Sequence, residues 1–314
     1  MTQLLNAANW CGRALDCSAS RHSGGSLLLL GPPRSNSTLI HRLLAKHTGV
    51  LSPPLKELLF PGRIGGMLRA GLALAPQSRV DEIYDPRLHE TGANAPEADD
   101  IALMAAYSEG IFDWVYGGAL RGAEAPTLEP TRHLPYLSWL RGNLARKHPG
   151  RLICSKYFAG VYHYAELRAA EPEAKFVLLC RDPAQVCASV ATLVDTVMQT
   201  RKLSPKDPTA YWYNLYRFLV ATYERMAVLM MLDDPRLLAL EDRQVKSDLN
   251  GTLAKVMEHA GLTRSQNDDL ERAILEKTAR GPYRRTYDYG TRLLELYRAE
   301  DFGNYFEAAQ QLFQ

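Results

Sequence analysis

The sequence predicts an α/β protein, with a central parallel sheet flanked by helices. Three observations predict it. Short apolar runs, such as Leu27–Leu30 and Phe176–Cys180, are continuous rather than alternating, as strands buried on both faces are. Each run ends in a polar or turn-forming stretch. The segments that follow carry apolar residues at helical spacing, as in Leu39, Ile40, Leu43 and Leu44 after the first run.

Bulk properties narrow the class. The chain has 314 residues, 46% of them hydrophobic and 23% charged, the balance of an ordinary globular protein with a large core. A formal net charge of +2 argues against a nucleic-acid binder, which would show a basic domain or stripe, so a small-molecule partner is expected. No run approaches the length of a membrane span, and the N-terminus lacks the basic-then-apolar order of a signal peptide. The expectation is a cytoplasmic protein. Five scattered cysteines form no C-x-x-C pair, which speaks against a zinc or redox motif. Cys154 and Cys180 lie in strand-like runs, where an inert buried thiol is expected.

In chain order, residues 4–17 read as a helix, followed by a polar linker and the first strand. Gly31-Pro32-Pro33-Arg34-Ser35-Asn36-Ser37-Thr38 then forms a turn-rich loop ahead of a helix. This order binds phosphate well: loop N–H groups point inward and the helix dipole favours an anion. Gly31 relieves crowding where the strand turns. Asn36 stands where a left-handed backbone is needed, which Asn tolerates better than most residues. Ser37 and Thr38 add hydroxyl donors and a helix cap.

The G-x-x-x-x-G-K-[ST] loop of nucleoside triphosphatases is a poor match, since Asn36 and Ser37 replace its second Gly and its Lys. Pro33-Arg34-Ser35-Asn36-Ser37-Thr38 instead resembles the P-[RK]-S-G-[TS]-[TS] loop of sulfotransferases that use 3′-phosphoadenosine 5′-phosphosulfate (PAPS), with Asn for Gly. A second phrase is more specific: Pro172-x-Ala174-Lys175-Phe176-Val177, then Arg181-Asp182-Pro183, Val186 and Ser189. Arg181 and Ser189 match that family's 3′-phosphate pair. Arg suits this role because its planar fork can hold a phosphate through two hydrogen bonds. The resemblance, to the bacterial-type or tyrosylprotein-sulfotransferase-like branch, covers residues 26–60 and 150–262.

The resemblance implies the P-loop-like sulfotransferase fold in one domain, 1–314, with residues 61–150 a helical insertion over the acceptor site. It implies PAPS as cofactor, adenosine 3′,5′-bisphosphate as product, and no metal. Pro33, Arg34, Ser35, Asn36, Ser37 and Thr38 would hold the 5′-phosphosulfate. Lys156, at the end of the strand beginning near Arg151, would contact the sulfuryl group and the leaving oxygen. In the animal cytosolic branch a catalytic His lies two positions beyond that Lys; here that position is Phe158. Glu57, after the first helix, is therefore the expected base, with His133 and Tyr136 as residues that could touch the acceptor.

Residues 51–60 contain Pro53 and Pro54 and read as extended or turning. Helices are expected over 97–120, 134–147, 161–170, 211–231 and 247–261, and a fourth strand over 236–241, closed by the acidic pair Glu241–Asp242. In the resembling family such a pair steadies a loop. The basic piece 280–285 belongs to a region where that family closes a loop over the 3′-phosphate. The activity implied is sulfuryl transfer to a hydroxyl, or in second place an amine, of a small-molecule acceptor. Two rival classes are a non-catalytic relative that binds adenosine 3′,5′-bisphosphate and a P-loop nucleotide kinase. The kinase would need the lysine and the magnesium carboxylate that these strand ends lack.

Overall fold

A computed structural model describes residues 25–59, 94–107, 128–201 and 204–263. The expected helix at 4–17, residues 61–93 and 108–127 of the expected 61–150 insertion, and the basic piece at 280–285 lie outside the described residues. Five strands form one parallel sheet: β1 Ser26–Leu30, β2 Val50–Leu51, β3 Leu152–Lys156, β4 Lys175–Cys180 and β5 Leu237–Glu241, in the order β2-β3-β1-β4-β5. The helices are α1 Ser37–Leu44, α2 Leu55–Leu59, α3 Asp99–Tyr107, α4 Pro130–Lys147, α5 Tyr164–Ala170, α6 Pro183–Arg201, α7 Pro208–Met230, α8 Asp242–Ser247 and α9 Leu249–His259. A 3₁₀ turn, Phe158–Val161, follows β3.

β1 is central because both of its faces are apolar. Successive side chains on a strand point to opposite faces. Leu28 and Leu30 join one core with residues of α3–α7, whereas Leu27 and Leu29 join a second with Ile40, Leu43 and Leu44 of α1 and Leu253, Val256 and Met257 of α9. All four leucines are at most 1% exposed, and each contributes about 1.5–3 kcal/mol by burial. Cys154, Cys180 and Cys187 are buried free thiols, and burial pushes each thiol up to about 12.

Three local expectations change. Residues 55–59 form a short helix rather than an extended piece, because Pro53 and Pro54 precede the helix instead of sitting in it; the Pro54 carbonyl accepts from Glu57 N and Leu58 N. The helix expected from Val161 starts later, as α5 at Tyr164, because a 3₁₀ turn ends at Val161. The last expected helix, 247–261, is α9 with its start shifted to Asp248, whose carboxylate accepts from Gly251 N at 2.8 Å and caps it.

The helical layer is anchored by buried charge. Arg141 of α4 donates to Asp99 of α3 at 2.6 Å and to Glu171 after α5, with Arg141 and Asp99 at most 1% exposed. Burial pushes the Asp99 carboxyl up and Arg141 opposes the shift. Beside it, Asp100 accepts from Phe158 N at 2.8 Å and Ala159 N at 3.2 Å, which holds α3 against the end of β3. Burial raises Asp100 to about 7, although those two N–H donors favour its charged form. Among the described residues, no helix is long and apolar enough to cross a membrane.

Candidate active site

The carboxyl edge of the sheet, where open parallel sheets bind ligands, gathers Arg34, Asn36, Thr38, Lys156, Arg181 and Ser189 of the groups singled out in the sequence. The loop after β1 turns sharply. A Cβ on Gly31 (φ +134°) would lie 2.5 Å from the Leu179 carbonyl oxygen, so no other residue fits there without a shift. Arg34 (φ 71°) and Asn36 (φ 62°, ψ 10°) are both left-handed, and Asn36 is the N-cap residue of α1. Its carboxamide does not cap the helix; it donates to Asp242 at the end of β5. Ser35 is 1% exposed and its hydroxyl has no hydrogen-bond partner among the described residues.

Arg34 binds the loop to the next strand. Its Nε donates to Ser189 Oγ of α6 at 2.9 Å, and Arg181 at the end of β4 donates to the Arg34 carbonyl at 2.6 Å. The Tyr223 hydroxyl of α7 donates to the Arg181 carbonyl at 2.7 Å and fixes the strand end. Arg181 Nε lies 3.6 Å from Asp242, which also pairs with Lys246 of α8. Arg34, Asn36, Arg181 and Ser189 thus form one connected cluster, with Asp242 as its counter-charge.

A second group lies at the end of β3. Lys156 is 4% exposed and donates to Thr38 Oγ1 at 3.0 Å, with its Nζ 5.5 Å from the centre of the Phe158 ring. Burial pulls the Lys156 ammonium below its ordinary range, while the nearby Glu97 carboxylate pushes it back up. On the buried face of α1, His41 is fully buried against the Cys154 carbonyl at 3.0 Å. Burial first, then the Lys156 charge, lowers this imidazole to about 3, so it is neutral and its Nε2–H donates.

Glu57 is part of α2 and forms an ion pair with Lys147 of α4 at 2.9 Å. His133 and Tyr136 are fully buried in the helical layer, with the His133 ring 6.1 Å from that of His163. That is a packing environment rather than an open face for an acceptor. Sequence reasoning missed Glu97 and Lys246, and gave Asp242 only a loop-steadying role. The acidic pair at a strand end was the available signal for Asp242; an isolated Glu97 carried none.

The chain matches the sequence profile described as "Sulfotransferase family" over residues 27–266. The chain belongs to the sulfotransferase family. No curated protein matches it in sequence. Among solved structures, this sulfotransferase-family chain is similar to sulfotransferase STF1 from Mycobacterium tuberculosis H37Rv, with a TM-score of 0.70 and 16% identity over 95% of this chain and 81% of that one. Sulfotransferase STF9 from Mycobacterium avium follows, with a TM-score of 0.65 and 16% identity over 97% of this chain and 80% of that one. At such identity these two relatives bear on the fold, and they share the sulfotransferase fold that the loop and the β4 phrase implied.

Proposed function

We propose that this chain transfers the sulfuryl group of 3′-phosphoadenosine 5′-phosphosulfate to a hydroxyl, or in second place an amine, of a small-molecule acceptor. One observation carries the reading: the proposed 5′ and 3′ anion sites share a single arginine, since Arg34 lies in the loop while its guanidinium and carbonyl bond Ser189 and Arg181. Two anionic groups of one nucleotide fit such a linked pair. The residues suit it. A backbone that approaches Leu179 closely at Gly31, a buried Ser35 hydroxyl with no hydrogen-bond partner among the described residues, and three cationic side chains form a donor-rich surface for anions.

When bound, the cofactor supplies an electrophilic sulfuryl group on a phosphosulfate anhydride. Arg34, the loop amides and the Ser35 and Thr38 hydroxyls would bind the 5′ end, with Pro33, Asn36 and Ser37 shaping the loop. Lys156 would neutralise charge on the leaving oxygen, an electrostatic contribution like that in phosphoryl transfer. Arg181 and Ser189 would hold the 3′-phosphate. Glu57 is the proposed base that accepts the acceptor's proton. We place the whole chain, 1–314, in one cytoplasmic domain with 61–150 as the acceptor-side insertion.

Calorimetric titration with adenosine 3′,5′-bisphosphate, run beside ATP with magnesium, tests this reading. Micromolar binding of the bisphosphate alone is expected. Arg181→Ala should weaken it by about 1.5–3 kcal/mol, the scale of a charged hydrogen bond. Binding of ATP alone would favour a kinase. Bisphosphate binding without turnover across acceptors would favour a non-catalytic relative.

A further inference from the structure

The acceptor side of the loop holds a carboxylate with no part in the transfer scheme above. Glu97 Oε2 lies 3.9 Å from Lys156 Nζ, and its Oε1 lies 4.0 Å from Arg42 of α1. Its position is set by backbone. Glu97 N donates to the Pro53 carbonyl at 3.1 Å, and Leu55 N donates to the Ala95 carbonyl at 2.9 Å. Pro96 bridges to Pro54, and Ala98 bridges to Lys156 itself. Residues 95–98 are therefore fastened between the chain leaving β2 and the last residue of β3. Immediately after them, Asp99 and Asp100 are tied to Arg141 and to the 3₁₀ turn.

Lys156 needs such a partner. Its side chain is 5% exposed, and an ammonium removed from water is destabilised unless it is paired. The titratable and charged groups acting on it are Glu97, Asp100, Arg42, Arg34 and the neutral His41. The two arginines work against its charge and the two carboxylates support it, Glu97 more than Asp100. Thr38 offers one acceptor and Phe158 a ring face, neither of them a counter-charge.

We propose that Glu97 is a positioning residue of the transfer site: its carboxylate, shared between Lys156 and Arg42, supplies the counter-charge of the Lys156 ammonium and aims it along the Thr38 side of the loop. What the aimed ammonium is for rests on the sulfuryl-transfer reading; the pairing does not. Glu97 forms no bond to the acceptor and takes no proton from it. That division leaves the base role to Glu57.

The test is a pH titration of the lysine ¹³Cε and ¹⁵Nζ resonances in the labelled full-length protein. Lys156 is assigned as the signal lost in Lys156→Gln. Glu97→Gln should lower the Lys156 midpoint by about one pH unit or more, the scale of losing a close counter-charge, and Glu97→Asp by less. Glu57→Gln should leave the midpoint in place. An unchanged Lys156 midpoint in Glu97→Gln overturns the proposal; should that variant not fold, an unchanged midpoint in Glu97→Asp does so. A second readout is the pH profile of PAPS turnover. In Glu97→Gln the alkaline limb should move to lower pH; loss of the acid limb instead would make Glu97 the base and overturn its positioning role. Failure of adenosine 3′,5′-bisphosphate to bind the wild-type protein would overturn the functional reading, while the lysine titration would still decide for or against Glu97.

Discussion

Asn36 supports a quantitative experiment on the phosphate loop, through Asn36→Gly and Asn36→Ala. The native side chain does two things: it tolerates φ 62° and it donates to Asp242. Both variants lose the second function, a hydrogen bond to a carboxylate that contributes about 1.5–3 kcal/mol when well formed. They differ in the first. Gly takes the left-handed region without strain, whereas a Cβ-bearing residue there costs roughly 1–2 kcal/mol. Subtracting one variant from the other cancels the Asp242 bond and isolates the backbone cost. If the loop must be left-handed to hold its anion, Asn36→Ala should bind adenosine 3′,5′-bisphosphate about 5- to 30-fold more weakly than Asn36→Gly, the equivalent of that strain. Calorimetry at one salt concentration measures it. Equal affinities, within about twofold, would refute the claim that loop geometry is needed for binding.

Three further outcomes are expected. Glu57→Gln should lower turnover by about 10²–10⁴-fold with bisphosphate affinity unchanged, and a variant that keeps its rate would move the base elsewhere. Arg141→Ala should cost about 3–5 kcal/mol in urea unfolding, because it removes the buried guanidinium that offsets the charge of both Asp99 and Glu171. A loss below about 1 kcal/mol would mean that water reaches this trio. His41 should make the fold acid-sensitive. The unfolded chain takes up its proton near 6.5 and the folded chain only at about 3, so its stability contribution is complete above 6.5 and is lost as pH falls toward 3. The stability of the wild type relative to His41→Gln should therefore fall by about 1.4 kcal/mol per pH unit within that window. A difference independent of pH would show that His41 protonates in the folded state.

The strands and the turn-rich loop after β1 were legible because their signals are local. A continuous apolar run needs two covered faces, and an Asn standing where a Gly is usual points to a left-handed backbone, which Asn36 has. Arg181 and Ser189 were legible for the same reason, since a strand end and the next helical turns hold them. Their link to Arg34 was not, because it joins residues 155 and 147 positions apart. The hydrogen bond of Asn36 to Asp242 spans 206 positions. Glu97 escaped for a related reason: its place depends on backbone bridges to Pro54 and Lys156, which no periodicity encodes. The α2 helix was misread because a proline pair breaks a helix when inside it and starts one when in front of it.

The position of β1 in the middle of the sheet bears on how such a chain can diversify. To one side, β4 and β5 carry Arg181 and Asp242, with Ser189 on the helix after β4; to the other, β2 and β3 carry Lys156 and enclose the stretch that contains Glu57 and Glu97. On the proposed reading, donor and acceptor chemistry would be separate inheritable modules that meet along a single strand. If that reading holds, a recombination event that exchanged the chain between β2 and β3 should change acceptor preference and leave binding of adenosine 3′,5′-bisphosphate in place. Glu97 would be exchanged with it while Lys156 stayed behind, so a successful chimera must carry its own counter-ion for a lysine that it did not bring.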